Sequence, residues 1–519
     1  MSIPATLPGA DSPSRTGRLA LALLILLAPL AMALSAPVNH DEDQYLGAAL
    51  FVREWVPYRD FASLQPPLHA WVLAPVIALF PGWGFLAARI ATALIASLML
   101  ALFHRIAIRA GARWRAATIA TLLFVCTTIF HIGASLARND ILPVLLLVLG
   151  IGAAIGDRRR PAAIWPLLAG LCLGLAVSSK ISYAPPAAAL ALWFLIAAES
   201  RPQWRARWIA AALAGIGTLI GLLPLILSAL TAPEALFWGL VRFGIAGPHD
   251  YYTQWGQGYW LTPPGKLQRL FRVMAEGSSL PVLILWLVIR LRAVVRGNGA
   301  RQWSDIERLT DLMILAGLAA TWGPTPSWRQ YALPLLPPLY LWFALRITAS
   351  PIRVRAAVIV LALFAVAGLA RPARDVAAAV QDGSPVLRSE ARAQTIAAIL
   401  TDQHVTGVLT TPYIHAAMDS GHPLDPRLAT GVFVLRNHGL ISPAKAAQYR
   451  VLTYETLFAQ LDSAPPPAIL TNIEKPSEMF PQLPDSELRR YAVLRGYRLH
   501  PLPGGVGELW IYPKAAISR

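Results

Sequence analysis

Long apolar runs separated by short polar segments fill most of the first 370 residues of the chain. Apolar runs near ~20 residues are typical of helices that cross the hydrocarbon core of a bilayer. Eleven runs are predicted to be spans: 19–38, 83–104, 116–131, 141–155, 163–178, 183–198, 208–230, 280–289 with its flanks, 312–322 with its flanks, 331–345 and 356–369. Small residues at 33–36 would also suit a signal-peptide cleavage site, but the length of the first run and Pro37 favour an uncleaved helix.

The charged residues between these runs are distributed asymmetrically. Arginine clusters occupy alternate loops, at 105–115, 158–160, 201–207, 290–308 and 346–355. Cytoplasmic loops carry an excess of Lys and Arg, so the chain is predicted to start inside. Segment 66–80 is also apolar, but counting it as a twelfth span would place every later cluster outside. We therefore predict that it lies in the membrane interface, anchored by Trp71 and Phe80, within an extracytoplasmic loop.

Composition supports a membrane protein and argues against a nucleic-acid partner. Hydrophobic residues make up 56% of the chain and charged residues only 14%, whereas soluble domains carry about 25% charged residues. The net charge of +17 comes mostly from short clusters between apolar runs, and there is no basic stripe interleaved with aromatic residues. Cys126 and Cys172 both lie inside apolar runs, which indicates small buried side chains rather than a redox or metal motif.

The composition changes after residue 369. Residues 371–519 are mixed in charge and are predicted to form a soluble α/β domain, extracytoplasmic because the span count is odd, after a membrane domain at 1–370. The runs "GVLTT", "GVFVL" and "AILTN" are predicted to be strands and 391–401 a helix. A hairpin is predicted over 497–512, closed around three glycines.

The predicted topology gathers unusual polar residues on the outer face. Ionisable side chains at membrane depth are costly and usually face a cavity. Arg89 lies about six residues, or ~9 Å, inside its span and should therefore point inward. The residues gathered there are Asp41, Glu42, Asp43, Asp60, His69, Arg89, His131, Arg138, Asp140, Lys180, His249, Asp250 and Arg329.

Two carboxylates are the candidates for acid–base chemistry. The acidic triplet at 41–43 could be a solvated loop, but Asp41 and Tyr45 share one face of a predicted interfacial helix. Asp41 would then lie at the mouth of the bundle, where it can act as a general base or bind a cation. Asp140, in "SLARNDI", is either an N-cap or a second carboxylate of the same cavity. Glu42 and Asp60 are expected to shape the surroundings of Asp41, and Asp43 and Glu54 to be solvated.

Cations and aromatic residues supply candidate binding groups. Lys180 and Arg329 are either a helix cap and an exposed loop residue or a clamp on a phosphate. The segment "FGIAGPHDYYTQWGQGYW", which contains His249 and Tyr251, suits an interfacial belt or a surface for a sugar or polyprenyl chain. Gly215, Gly217 and Gly221 lie inside a span and indicate close helix packing rather than a nucleotide loop.

In this order, the motifs resemble the GT-C-type polytopic membrane glycosyltransferases. The residues that carry the resemblance are "HDEDQYLGAALFVREWVPYRDF" followed by "QPPLHAW", then Arg89, "LARND", "LGLAVSSK" and "RQYALPLLPPL". Over residues 18–369 the pattern is similar to the branch of dolichyl-phosphate-mannose–protein mannosyltransferases and the lipid A aminoarabinose transferase. The family often has Lys or Glu just before the "PP" of the first loop, and here the residue is Gln65.

The resemblance implies an inverting enzyme that transfers a hexose or pentose from a polyprenyl-phosphate carrier outside the cytoplasmic membrane. It implies Asp41 as the catalytic carboxylate and Asp140 as the second acidic position. Support by Glu42, Tyr45 and Asp60 fits that reading, as does a donor phosphate held by Arg89, Lys180 and Arg329. Acceptor or lipid contacts are then expected from His69, His131, Arg138, His249 and Tyr251.

The partners expected are a polyprenyl-phosphate-linked sugar, an envelope acceptor and the lipid bilayer, without nucleic acid. No cofactor is required by the sequence, and a divalent metal ion stays open. A polytopic transporter or lipid flippase is the alternative, although the chain has no clear internal repeat and its polar residues crowd the outer boundary.

Overall fold

The computed structural model describes residues 13–159, 162–197, 199–296, 304–349, 351–475 and 483–513. Arg160 and Arg301 of the predicted cytoplasmic clusters lie outside these ranges. The helices up to residue 254 are α1 Arg15–Ser35, α2 Asp41–Phe51, α3 Leu68–Leu79, α4 Gly84–Ala110, α5 Trp114–Val125, α6 Thr128–Ser135, α7 Ile141–Arg159, α8 Ile164–Ser179, α9 Ala184–Ile196, α10 Trp204–Gly221, α11 Leu223–Thr231, α12 Pro233–Phe237 and α13 Phe243–Gln254. The later helices are α14 Pro263–Ala275, α15 Ser279–Val295, α16 Asp305–Trp322, α17 Leu336–Ala349, α18 Pro351–Asp382, α19 Pro385–Asp402, α20 Ile414–Ala417, α21 Val432–Leu435, α22 Pro443–Gln448, α23 Leu457–Ser463 and α24 Ser486–Leu494.

Several of these helices are suited to a membrane. Within the described ranges, three are long and apolar enough to cross a bilayer: Arg15–Ser35, Gly84–Ala110 and Arg329–Ala349, the last beginning with a 3₁₀ segment. Three bent pairs meet the same criterion together: α5 with α6, α10 with α11, and α14 with α15. All eleven apolar runs lie mainly on helices, whereas the number that cross a membrane stays a prediction.

The bends have local causes. Helix α10 ends before Pro224, whose ring nitrogen cannot donate to the preceding turn, and α11 leaves at 51°. Between α5 and α6 the chain turns by 72° where Thr127 caps the new helix, its hydroxyl accepting from the Phe130 amide at 3.1 Å. Gly277, with φ +130°, allows the 105° turn between α14 and α15.

Helices α8 and α10 pack closely through glycine. A Cβ on Gly217 would lie 2.1 Å from the Leu167 carbonyl oxygen, and one on Gly221 would lie 2.4 Å from that of Leu171. These contacts confirm the helix-packing role predicted for both residues. A Cβ on Gly215 would meet no atom within 4 Å, so that glycine takes no part in the packing.

Four strands form one sheet near the C-terminus. They are β1 Leu409–Thr410, β2 Ala468–Thr471, β3 Arg498–Pro501 and β4 Glu508–Ile511, in the order β1-β2-β4-β3. The β1–β2 pair is parallel and the other pairs are antiparallel. The hairpin predicted over 497–512 is present as β3 and β4, and α19 contains the predicted helix 391–401.

One predicted strand is wrong. The β-branched run "GVFVL" forms the helical turn α21, which follows Gly431 at φ +58°. Val432 and Leu435 are buried there, so tertiary packing overrides the strand preference of the sequence.

The region after α18, here called the C-terminal region (383–475 and 483–513), shares a hydrophobic core with the first loop, residues 39–80. Leu46 and Phe61 of that loop are in one buried cluster with Tyr413 and Val432 of the C-terminal region. The predicted domain boundary at residue 370 lies within α18, a single helix. Shared burial therefore fixes the C-terminal region against α2, the helix that carries Asp41.

Candidate active site

A cavity of about 390 Å³ lies between α2, α13 and the C-terminal region. Its walls combine aromatic rings with charged and amide side chains, as ligand sites usually do. The polar and aromatic lining residues are Asn39, His40, Asp41, Gln44, Tyr45, Gln65, Arg138, Phe243, Tyr251, Tyr252, Thr325, Trp328, Arg329, Gln330, Tyr331, Arg371, Phe433, Arg436 and Asn437.

Four alternating charges run inward from the cavity wall. The Arg138 guanidinium binds Asp41 Oδ2 on one side, and its Nε lies 2.9 Å from Asp140 Oδ2 on the other. Lys180 Nζ binds Asp140 Oδ1. The Asp41 side chain is 25% exposed and that of Asp140 is fully buried. Asp41 is therefore the carboxylate of this set that a ligand can reach. Asp140 lies behind Asp41 and binds Arg138 and Lys180.

The charges keep both carboxyls ionised. Burial alone would raise the pKa of Asp41, but the adjacent Arg138 guanidinium outweighs burial and holds it below its usual range. Burial likewise opposes ionisation of Asp140, whose pKa is lowered by Lys180 and Arg138. At neutral pH Asp41 presents a carboxylate to the cavity. Its Oδ1 lies 3.6 Å from His40 Nε2.

Glu42 and Arg89 form a fully buried ion pair outside the cavity. Arg89 Nε and Nη2 donate to the two carboxylate oxygens of Glu42 at 2.8 and 2.5 Å, and Nη1 donates to the Ala33 and Ala36 carbonyls. The Ala137 amide donates to Glu42 Oε1 at 2.8 Å. Arg89 does point inward, as predicted, but this placement does not fit phosphate binding because its donors are already engaged. The pair ties α1, α2 and α4 together beneath Asp41.

The other predicted cations differ in position. Arg329 lines the cavity, with Nη2 3.2 Å from Glu276 Oε2. Lys180 lies behind Arg138, with Nζ 5.0 Å from the centre of the Tyr331 ring, so it reaches the cavity only through its neighbours. Arg371 also lines the cavity and was not predicted.

Tyr45, His69 and Tyr251 are buried near the site. Tyr45 and Tyr251 line the cavity, and the Tyr45 ring makes an edge contact with His69 at 5.8 Å. His69 lies behind Tyr45, where burial lowers its pKa to about 4 and keeps it neutral. Arg138 lies over the Tyr45 ring, its guanidinium carbon 5.9 Å from the centroid.

Three predicted residues lie away from the cavity. His131 is buried with Nε2 3.6 Å from Asp375 Oδ2. His249 is exposed on α13. Asp60 pairs with the exposed Arg59 at 2.8 Å. None of the three contributes to the cavity lining among the described residues, so their predicted site roles do not fit this placement.

Asp43 contradicts the prediction that it is solvated. Its side chain is fully buried, and Oδ1 accepts from both the amide and Nδ1 of His415 at 2.8 Å. Burial raises the pKa of Asp43, while His415 opposes that rise. Asp43, which the sequence predicted to be solvated, is instead a contact point between α2 and the C-terminal region.

Several cavity residues were missed by the sequence. Phe433, Arg436 and Asn437 come from the C-terminal region. The Arg436 guanidinium carbon lies 4.0 Å from the Tyr251 ring centroid and 4.4 Å from that of Phe433. The sequence gives no local signal for Arg436, whereas the position of His40 beside the acidic triplet was a signal that could have been used.

Gln65, where the family often has Lys or Glu, lines the cavity. Its Oε1 accepts from Asn139 Nδ2 at 2.9 Å. No group of three or more His, Cys, Asp or Glu side chains in the described ranges is arranged to hold a metal ion. The carboxylates of Asp41 and Asp140 are instead engaged by Arg138 and Lys180. This donor set does not fit a resident metal, and no step below depends on one.

Comparisons with known proteins agree with this fold. The family model for dolichyl-phosphate-mannose-protein mannosyltransferase matches residues 64–227. ArnT from Cupriavidus metallidurans bound to undecaprenyl phosphate is similar in structure, with TM-score 0.61, 15% identity and coverage of 97% of this chain and 99% of that one. The apo form of the same protein gives TM-score 0.60 and 15% identity over 95% of this chain and 98% of that one.

A more distant similarity links the chain to the Archaeoglobus fulgidus oligosaccharyltransferase. The apo structure of that protein has TM-score 0.50 and 13% identity, covering 89% of this chain and 70% of that one. Among proteins of curated function, none matches the sequence. The resemblance predicted from the motifs is confirmed: this chain has the fold of the GT-C-type membrane glycosyltransferases, and part of it matches the mannosyltransferase family model.

Proposed function

We propose that the protein transfers a sugar from a polyprenyl-phosphate donor to an envelope acceptor at the outer face of the cytoplasmic membrane, with inversion. The observation that carries the proposal is the cavity in which one reachable carboxylate, Asp41, faces several arginines. A glycosyl transfer from a lipid phosphate needs both a base for the acceptor and positive charge for the leaving group.

Asp41 is the proposed base. An acceptor hydroxyl has a pKa far above neutrality, so a carboxylate that takes its proton as the oxygen attacks contributes roughly 10²–10⁴-fold. Arg138 holds one carboxylate oxygen of Asp41 and leaves Oδ1 toward His40 and the cavity. Asp140 is proposed to hold Arg138 and Lys180 in place rather than to contact the sugar.

The phosphate is proposed to bind near Arg329 and Arg371. Both line the cavity, and a guanidinium matches a phosphate bidentately. Arg89 is not proposed for this role because its guanidinium is paired with Glu42. Lys180 is not proposed because it is bound to Asp140. The Tyr252–Trp328 pair, with ring centroids 6.1 Å apart, is proposed to contact the sugar or the first isoprenoid units.

Mass spectrometry of envelope glycolipids and glycoproteins tests the proposal. Cells with the wild-type protein are expected to carry an added hexose or pentose that is absent from cells lacking it and from cells with Asp41→Asn. Glu54→Gln, at an exposed position of the same loop, is the matched control and should behave as wild type. Identical envelopes with and without the protein would reject glycosyl transfer, and a full product level with Asp41→Asn would reject the base.

A further inference from the structure

His40 connects Asp41 to a carboxylate of the C-terminal region. Its Nδ1 lies 2.8 Å from Glu474 Oε1, and its Nε2 lies 3.6 Å from Asp41 Oδ1. The Asp41, His40 and Glu474 side chains are 25%, 31% and 27% exposed. If Nδ1 carries the proton shared with Glu474, the Nε2 lone pair points toward Asp41 and the cavity.

Asp41 alone is a poor place to keep a proton. Arg138 stabilises its ionised form and lowers its pKa, so a proton taken from the acceptor must leave before the next turnover. The proximity of Glu474 raises the pKa of His40 against the effect of burial. The other charged groups facing His40 are Asp41, which favours the imidazolium, and Arg436, whose Nη1 lies 3.5 Å from Nε2 and disfavours it.

Glu474 lies where a proton can leave the site. It lines a second cavity of about 280 Å³, between α1, α18 and α19, which it shares with Asp375, Arg388 and Arg392. His40 lines the first cavity. The two side chains therefore join the reaction cavity to a separate, partly exposed space.

We propose that His40 and Glu474 form a proton relay that removes from Asp41 the proton of the acceptor hydroxyl and passes it to the second cavity. The inference rests on the proposed function and adds a path to it. His40 is a positioning residue that acts through Asp41. The 3.6 Å separation is one that catalytic contacts show before substrate binds and tightens them.

The proposed transfer and relay proceed in four steps. The acceptor oxygen forms a bond to the anomeric carbon as the bond from that carbon to the phosphate oxygen breaks, and its electron pair leaves with the phosphate. The acceptor proton goes to Asp41 Oδ1 and then to His40 Nε2. The Nδ1 proton moves to Glu474 and then to water in the second cavity. His40 returns to its starting tautomer when its Nε2 proton shifts to Nδ1 through water.

The test is the pH dependence of the sugar-transfer rate of the purified full-length protein, with its donor at saturation. The relay works only while His40 is neutral, so the wild-type rate should fall as pH drops through the His40 pKa, above its ordinary value of 6.5. His40→Gln should lose this limb and roughly 10- to 100-fold in rate above it, less than loss of a primary base, with KM for the donor unchanged.

Three further variants separate the roles. Glu474→Gln, which keeps a hydrogen-bond acceptor but removes the charge, should move the limb to lower pH. His40→Ala should regain activity when free imidazole is added. His500→Gln, on β3 in the C-terminal region, is the matched control and should keep the wild-type profile.

The outcomes distinguish the relay from the function. If the wild-type protein transfers no sugar, both are overturned. If Asp41→Asn is inactive while His40→Gln keeps the wild-type rate and limb, the relay is wrong and the function stands. A His40→Gln variant that is slower by one factor at every pH, with the limb in place and no imidazole rescue of His40→Ala, would show a structural role only and overturn the relay.

Discussion

Replacing Arg89 by methionine is expected to destabilise the protein strongly, although Arg89 is not one of the residues that line the cavity. Arg89 and Glu42 are both fully buried. Without the guanidinium, Glu42 loses two charge-assisted hydrogen bonds of 2.8 and 2.5 Å and stays buried with the Ala137 and Asn39 amides as donors.

The cost follows from the uncompensated charge. Breaking a buried ion pair by removing one partner costs about 3–5 kcal/mol, whereas losing both charges together costs much less. A loss of that size is a large part of the roughly 5–15 kcal/mol by which proteins are stable. Glu42→Gln/Arg89→Met keeps an acceptor for the Ala137 amide and leaves no buried charge. The double variant should therefore recover about 2 kcal/mol or more relative to Arg89→Met alone.

The assay is equilibrium unfolding in mixed micelles. Arg53→Met is the control because Arg53 is exposed just after α2, the helix that carries Glu42. The control should stay within about 0.5 kcal/mol of wild type. Binding of undecaprenyl phosphate to the folded fraction of Arg89→Met should match wild type. Wild-type stability with lost binding would refute the reasoning and return Arg89 to the phosphate.

Two other predictions concern the phosphate and the docking of α4. Arg329→Gln should lower kcat/KM for the polyprenyl-phosphate donor about tenfold or more, with part of the loss in kcat, since a hydrogen bond to a charged group contributes about 1.5–3 kcal/mol and the leaving phosphate gains charge in the transition state; an unchanged kcat/KM in steady-state kinetics would contradict this. Glu390, whose Oε1 accepts from the Leu86 amide at 2.9 Å, has its pKa raised by burial and by Asp419 from 4.5 to about 8. Glu390 binds its proton more tightly in the folded protein than in the unfolded one. Its contribution to the free energy of unfolding is therefore fully present below about pH 4.5 and is lost as pH rises to about 8. Unfolding free energies should show that Glu390→Gln, which mimics the protonated acid, flattens this dependence, and equal slopes for both proteins would contradict it.

The helical architecture was largely predictable because local hydrophobic pattern determines it. Each apolar run became helix, since a backbone in an apolar environment must satisfy its own hydrogen bonds. The bends were not predicted, although Pro224 and Gly277 were visible, because whether a helix breaks or continues depends on what packs against it. The run "GVFVL" failed for the same reason: buried contacts with the first loop decided its conformation.

Part of the candidate site depends on contacts between residues far apart in sequence. Asp41, Arg138 and Asp140 were found because polar residues at a membrane boundary stand out locally. Arg436 approaches His40 across 396 positions, and His415 approaches Asp43 across 372. No local periodicity indicates such pairs. The prediction from sequence therefore placed Asp43 in solvent and did not include Arg436.

Donor consumption by the purified protein tests the central claim most directly. Polyprenyl-phosphate sugars extracted from membranes of the source cells are incubated with the protein and an envelope extract, and released polyprenyl phosphate is measured by mass spectrometry. The wild-type protein and Glu54→Gln should release one polyprenyl phosphate for each sugar gained by the acceptor, and Asp41→Asn should leave the donor intact. Equal release by Asp41→Asn, or no release by the wild-type protein, would contradict the account.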